Sequence, residues 1–358
     1  MSIRSVVCLS LVLLSAAFTS AQSYTVTDIG VLKGTNESSG LWLNSLGQVV
    51  GCSDVSTQGY PCTGTNPGQQ AFLWSKNTGL QDLGTLPGGN ISTAYGINDA
   101  GAVVGYSNSG GAPITQYSAF LWTASGGMVN LGSLPSAISG AAFEINSSGV
   151  IVGDSLNSNG IVVGAAWKNN KIRSIGRLPG AIFTAGLDLN DSGEIVGESI
   201  FSYGPPIAGH AFTWIPGALF TDLGTLPGGT ISIANAVNSS GTVVGQSDGT
   251  STRGDFHAVM WDVANNITDL GTLSGGTYSI AFAINDSGTV VGYGNVLSNA
   301  PHAMIWTAAT GLKDLNALIP AKSGWVLINA NAINSLGQIT GYGIKNGHNH
   351  AFFLTPEN

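Results

Sequence analysis

Apolar residues along this chain fall in short runs, rich in Val, Ile, Phe and Trp, cut apart by Gly, Asn, Ser and Pro. No stretch carries a convincing helical apolar stripe, so the pattern predicts strands and almost no helix. Within one stretch four strands are predicted: Ser92–Asn98 (A), Ala102–Ser107 (B), Ala119–Thr123 (C) and Met128–Ser133 (D). Strands A and B are joined by Asn98-Asp99-Ala100-Gly101. Asn suits the opening of a tight turn, where its side chain bonds its own backbone, and Gly supplies the positive φ that follows.

The same unit recurs seven times. An Asn-x-x-Gly turn, then an apolar pair and another Gly, begins at Asn44, Asn98, Asn146, Asn190, Asn238, Asn285 and Asn334, in steps of 54, 48, 44, 48, 47 and 49 residues. Strand C is marked by Trp74, Trp122, Trp167, Trp214, Trp261 and Trp306, with Leu354 in the last place. Strand D runs into Asp-Leu-Gly-Thr-Leu-Pro-Gly-Gly, whole at Asp82–Gly89 and Asp222–Gly229 and degenerate elsewhere. Four-stranded units of this length are the period of propeller blades, and stacked units bury one another's faces. A solenoid is the rival. The termini favour a ring, because Tyr24–Leu32 reads as a lone D strand and His350–Leu354 as a C strand with no D after it. The predicted fold is an all-β, seven-bladed propeller of four-stranded antiparallel blades over residues 22–358, one domain, closed by pairing Tyr24–Gly30 with the last blade.

Charge narrows the function. The 358 residues include 11 Lys or Arg and 19 Asp or Glu, a net charge of −8. A chain so poor in cations offers no stripe for nucleic acid and no dock for anionic lipid. Residues 1–21 carry Arg4, the apolar run Val6–Phe18 and small residues before Gln22, the pattern of a cleaved secretory signal peptide. The run is too short to span a bilayer, so the mature chain is expected in the periplasm or outside the cell, without membrane insertion. It keeps two cysteines, Cys52 and Cys62. In an oxidising compartment so close a pair reads as a disulfide.

His-Ala-Phe at His210–Phe212 and His350–Phe352, together with Asp-Leu-Gly-Thr-Leu and the Ile-Asn-x-x-Gly-x-Val-Val-Gly run, resembles the bacterial extracellular HAF-repeat family over Tyr24–Leu354. The resemblance implies an exported β-repeat protein and names no catalytic residue. The third copy departs, with Gly164-Ala165-Ala166-Trp167 where His-Ala-Phe would stand.

Most recurring residues read as structural. His210, His257, His302 and His350 each open a strand C. On separate blades they stand too far apart to share one metal ion, so hydrogen-bonded structural roles are expected, with no metal and no cofactor. The Trp series reads as packing between blades. Off the repeat stand Glu37, Asp54, Glu144, Asp154, Asp188, Glu194, Glu198, Asp248 and Asp255, carboxylates that could pair for hydrolysis but that sequence cannot pair in space. Length varies in the B–C loops and in one D–A link, and these share a face of the ring. The longest B–C gap, 19 residues between Gly51 and Ala71, carries Asp54 and Tyr60. The enlarged link Asn316–Ala332 carries Lys322 and Trp325. These four residues form the expected ligand-binding patch. The functional reading is a monomeric, non-catalytic binding or interaction module for a glycan or a cell-surface protein. The rival is an extracellular glycan-active hydrolase or lyase using carboxylates on the loop face.

Overall fold

The computed structural model describes residues 22–55, 61–62, 66–110, 116–169, 171–204, 206–249 and 255–357, so the expected signal peptide lies outside the described residues. Seven four-stranded antiparallel sheets stand around a ring as blades. Among the described residues the helical content is a single 3₁₀ turn, Leu315–Leu318. The innermost (A) strands of blades one to seven are Glu37–Leu43, Ser92–Ile97, Ala137–Ile145, Phe183–Leu189, Ser232–Val237, Ser279–Ile284 and Trp325–Ile333. Each touches the inner strand of both neighbours, around a central channel.

The predicted closure is present. Tyr24–Gly30 pairs antiparallel with His348–Pro356, from Tyr24 opposite Pro356 to Gly30 opposite Ala351, and becomes the outer strand of blade seven. The two signature motifs of the repeat meet here. His350 Nδ1 lies 3.0 Å from Asp28, as His210 lies 2.9 Å from Asp222, His257 2.9 Å from Asp269 and His302 2.6 Å from Asp314. The His of strand C is thus the partner of the Asp of strand D. That Asp also accepts the N–H two residues on, for instance that of Gly224 at 2.8 Å from Asp222. The imidazole–carboxylate bond holds His257 above its ordinary pKa, and the same contact holds Asp269 below its own despite partial burial.

The turn asparagines do more than cap their own hairpins. Each Oδ1 accepts the backbone N–H four residues on, from Gln48 in blade one to Gln338 in blade seven. Each Nδ2 donates to the carbonyl of the next blade's turn asparagine, at 3.0–3.3 Å. The last bond runs from Asn334 back to Asn44, so the circle is complete. All seven residues are buried, where an unpaired amide or carbonyl would be costly.

The Gly of each Val-Val-Gly run has a steric cause. At Gly105 an added Cβ would stand 1.9 Å from the carbonyl oxygen of Thr93 on strand A, and the equivalent contact is 1.9–2.0 Å in every blade. Strand A is bulged beside this point, as between Ala94 and Gly96, which brings its backbone close. Between blades the Trp series packs as expected. Trp261 is fully buried, clusters with Val196, Ala211 and Leu223 of the preceding blade, and donates its indole N–H to Leu223 at 2.8 Å. Cys52 and Cys62 are joined by a disulfide.

Two outcomes test this account. Deleting residues 22–32 strips blade seven of its outer strand and takes away Asp28, the partner of His350; the truncated chain should aggregate or unfold. A truncation that melts with the intact chain would end the closure argument. Trp261→Ala should lower stability by about 3–5 kcal/mol in chemical denaturation, the usual cost of deleting a buried large aromatic.

Candidate functional site: the acidic wall of blades three and four

Superposing the seven copies separates scaffold from exception. Two positions before the turn asparagine, the blades carry Trp42, Gly96, Glu144, Asp188, Ala236, Ala283 and Ala332. One position after the strand-B glycine they carry Cys52, Tyr106, Asp154, Glu198, Gln246, Tyr293 and Tyr342. In both columns carboxylates occur in blades three and four and nowhere else. Four acids therefore stand on two neighbouring blades at positions the architecture does not require to be charged.

Glu144 and Asp188 occupy the inner strands and are 6% and 4% exposed. They line one cavity of about 290 Å³ at the asparagine-ring end of the channel. Asp188 accepts the N–H of its neighbour Leu189 and that of Val237 on blade five, both at 2.8 Å. Burial pushes its pKa up to about 7 against the pull of those two donors. Burial also holds Glu144 well above the carboxylate range, and the charge of Asp188 adds to it. At the mouth of the cavity the residue after each turn asparagine alternates Ser45, Asp99, Ser147, Asp191, Ser239, Asp286 and Ser335. Each of the three aspartates accepts the N–H of the preceding blade's serine at 2.9–3.0 Å.

The second pair, Asp154 and Glu198, sits on strands B. Burial raises Asp154 to about 6, although the Ala141 N–H opposes it. Glu198 is raised by burial and then by the charge of Asp154. Aromatic hydroxyls surround them. Burial holds Tyr95 above its ordinary value, with Tyr106 and Asp154 among the further causes, and Tyr203 is raised by burial and by Glu198. Tyr95, Tyr106 and Tyr117 form a chain of rings with centroids 5.7 and 4.6 Å apart. Tyr203 is 61% exposed. The arrangement combines half-buried acids with flat amphipathic rings, which can hydrogen-bond and stack on a polar ligand.

The four residues expected from loop length are placed differently. Asp54 is buried on strand B of blade one, where it accepts from Asn66 Nδ2 at 3.1 Å and the Cys62 N–H at 3.3 Å. Trp325 is 7% exposed on the inner strand of blade seven, edge-on to Phe352, with the Lys345 ammonium 5.2 Å from its ring centre. Lys322 is exposed, and Tyr60 lies outside the described residues. Blades one and seven are neighbours, joined at this height by a 3.2 Å bond from Asn349 to Glu37, the residue opposite Asp54. Sequence reasoning noted all four carboxylates of blades three and four without pairing them. Aligning the copies column by column is the signal that finds them.

The chain matches no protein-family model and no curated protein. Solved structures share the fold. The extracellular domain of a one-component system from B. thetaiotaomicron is 11% identical, with a TM-score of 0.55 over 93% of this chain and 40% of that one. A puromycin-hydrolysing peptidase of Mycobacterium tuberculosis is 12% identical, with a TM-score of 0.51 over 90% of this chain and 61% of that one. YCF48 bound to D1 peptide is 10% identical, with a TM-score of 0.50 over 94% and 97%. This chain thus spans well under two thirds of the first of these, and the likeness is one of fold.

The buried pair makes stability depend on pH. Raised carboxyl groups bind protons in the folded chain that the unfolded chain releases, so stability is greatest at acidic pH and falls as pH rises through the window. For Asp188 that window ends at about 7. Both Asp188 oxygens already accept N–H groups, so Glu144→Gln is the informative replacement. It should flatten the fall in urea midpoint between pH 4.5 and pH 7.5 and stabilise the neutral-pH protein. An unchanged slope would show that the pair is not coupled to folding.

Proposed function

We propose that this protein is an exported binding module of the HAF-repeat type, whose ligand face is the B–C loop side of blades two to four. The observation that carries the reading is the departure of the strand-B column to carboxylates on adjacent blades, Asp154 and Glu198, with Tyr106, Tyr117 and the exposed Tyr203 around them. Glycans suit this surface. Their ring faces stack on aromatic side chains, and their hydroxyl groups donate to carboxylates. The expected signal peptide and the disulfide agree with export. Among fold neighbours, one is an extracellular domain and another is bound to a peptide. The junction of blades one and seven is kept as a second candidate patch, in which Lys322 is exposed while Asp54 and Trp325 are buried.

The hydrolase or lyase reading has one specific support. Asp154 and Glu198 are both raised by burial, and the charge of Asp154 raises Glu198 further, a setting in which one of two neighbouring carboxyl groups keeps its proton. Screening residues 22–358 on a glycan array, followed by Asp154→Asn with Glu198→Gln and separately Tyr203→Ala, decides between these. A binding module loses at least tenfold in affinity with the melting temperature nearly unchanged, and releases no product from the glycans it binds. Product release that vanishes in the double replacement would establish the enzyme instead. Full binding by both variants would put the site elsewhere.

A further inference from the structure

We propose that the central channel holds a second site, for a small organic ammonium ion, in which Glu144 releases its proton to solvent as the cation enters and supplies the counter-charge, and an aromatic girdle supplies the walls. This site is separate from the loop-face reading above. The channel is built from strand-A residues, and beyond the 290 Å³ cavity at the asparagine ring a second cavity of about 300 Å³ opens behind it. Trp42 and Glu144 line both. The second is walled by Trp42, Tyr95, Phe143 and Phe282, one aromatic from each of four blades.

Glu144 is 94% buried by its 6% exposure, yet its hydrogen bonding is incomplete. Its Oε1 accepts the adjacent Ile145 N–H at 3.0 Å, and its Oε2 takes no hydrogen bond from the described residues. Blade two has Gly96 in the same column, and a Cβ there would come within 3.0 Å of that oxygen. The nearer atoms are the Phe143 carbonyl oxygen at 2.7 Å and Glu144 Cα at 2.9 Å, so the glycine admits the inner strand of blade three as a whole, its carboxylate included. No Lys, Arg or His lines either cavity. The titratable groups that share these walls are Asp188 beside Glu144, Tyr95 from blade two, and Asp99, Asp191 and Asp286 at the mouth. Every one of them is negative or neutral. A narrow, low-dielectric passage lined by one sign of charge concentrates its counter-ion.

The donor set selects the kind of cation. Calcium takes six to eight oxygen ligands and magnesium demands an octahedron. Here one carboxylate oxygen is unengaged, both Asp188 oxygens are held by backbone N–H groups, and the turn asparagines are consumed by their own ring. No group of three or more His, Cys, Asp or Glu side chains able to hold a metal occurs among the described residues. One anion among several aromatic rings is instead the chemistry that recognises a substituted ammonium, which is weakly hydrated and attracted to π systems.

Isothermal titration of residues 22–358 with tetramethylammonium chloride, against sodium and calcium chloride at matched ionic strength, tests the assignment. The expected result is saturable one-to-one binding of tetramethylammonium, with neither metal ion binding comparably. Glu144→Gln should weaken it at least tenfold. Phe143→Leu with Phe282→Leu keeps the charge and much of the bulk but removes two aromatic rings, and should weaken it several-fold. Absence of saturable heat, calcium binding at least as tightly, or undiminished binding by Glu144→Gln would each overturn the site. None of these outcomes depends on whether the loop face binds a glycan.

Discussion

The return of Asn334 to Asn44 is the constraint on which the rest of the structure depends. Each blade holds the next through an amide that is buried and satisfied only if a neighbour's turn carbonyl lies at the right height. In an open stack one Nδ2 and one carbonyl would remain unpaired and buried at the ends. A ring leaves none. The outer strand Tyr24–Gly30 adds a second closure at the rim, with the same His–Asp contact that other blades make internally. Inner and outer edges of the wheel are thus joined at the same seam by different chemistry.

Once closure is met, the repeat separates residues by what they are bound to do. The turn asparagine, the strand-B glycine, the strand-C Trp and the strand-D aspartate each answer a local demand for a hydrogen bond, a close backbone approach, an interblade filler or a turn cap. Other columns are under no such demand. Two of them turn acidic in blades three and four, at the cost of burying charge without a cation to meet it. Acids at positions that the repeat leaves neutral in the other blades are the feature on which the proposed function rests.

The elements were legible in sequence because their causes are local. A period-two apolar pattern, an Asn-x-x-Gly turn and a Gly where a carbonyl approaches are each read within a few residues, and seven copies remove ambiguity. Helix was expected to be nearly absent, and one 3₁₀ turn at Leu315–Leu318 is what the described residues contain. Closure was legible too, since a missing D strand at one end and a spare one at the other leave one economical answer. Loop length is a signal of another kind. It drew attention to Asp54 and Trp325, and the structure buries both within their own blades.

What the sequence by itself determined, then, is the blade, the number of blades and the way the ring shuts, because each follows from periodicity and from hydrogen-bond needs that neighbours in the chain already state. The tertiary structure alone decided which carboxylates meet. Glu144 and Asp188 are separated by a whole repeat, and only the wrapping of inner strands around a channel sets them side by side in one desolvated cavity. Burial and mutual repulsion, which give those acids their altered proton affinity, are properties of that shared space and have no counterpart in the linear chain.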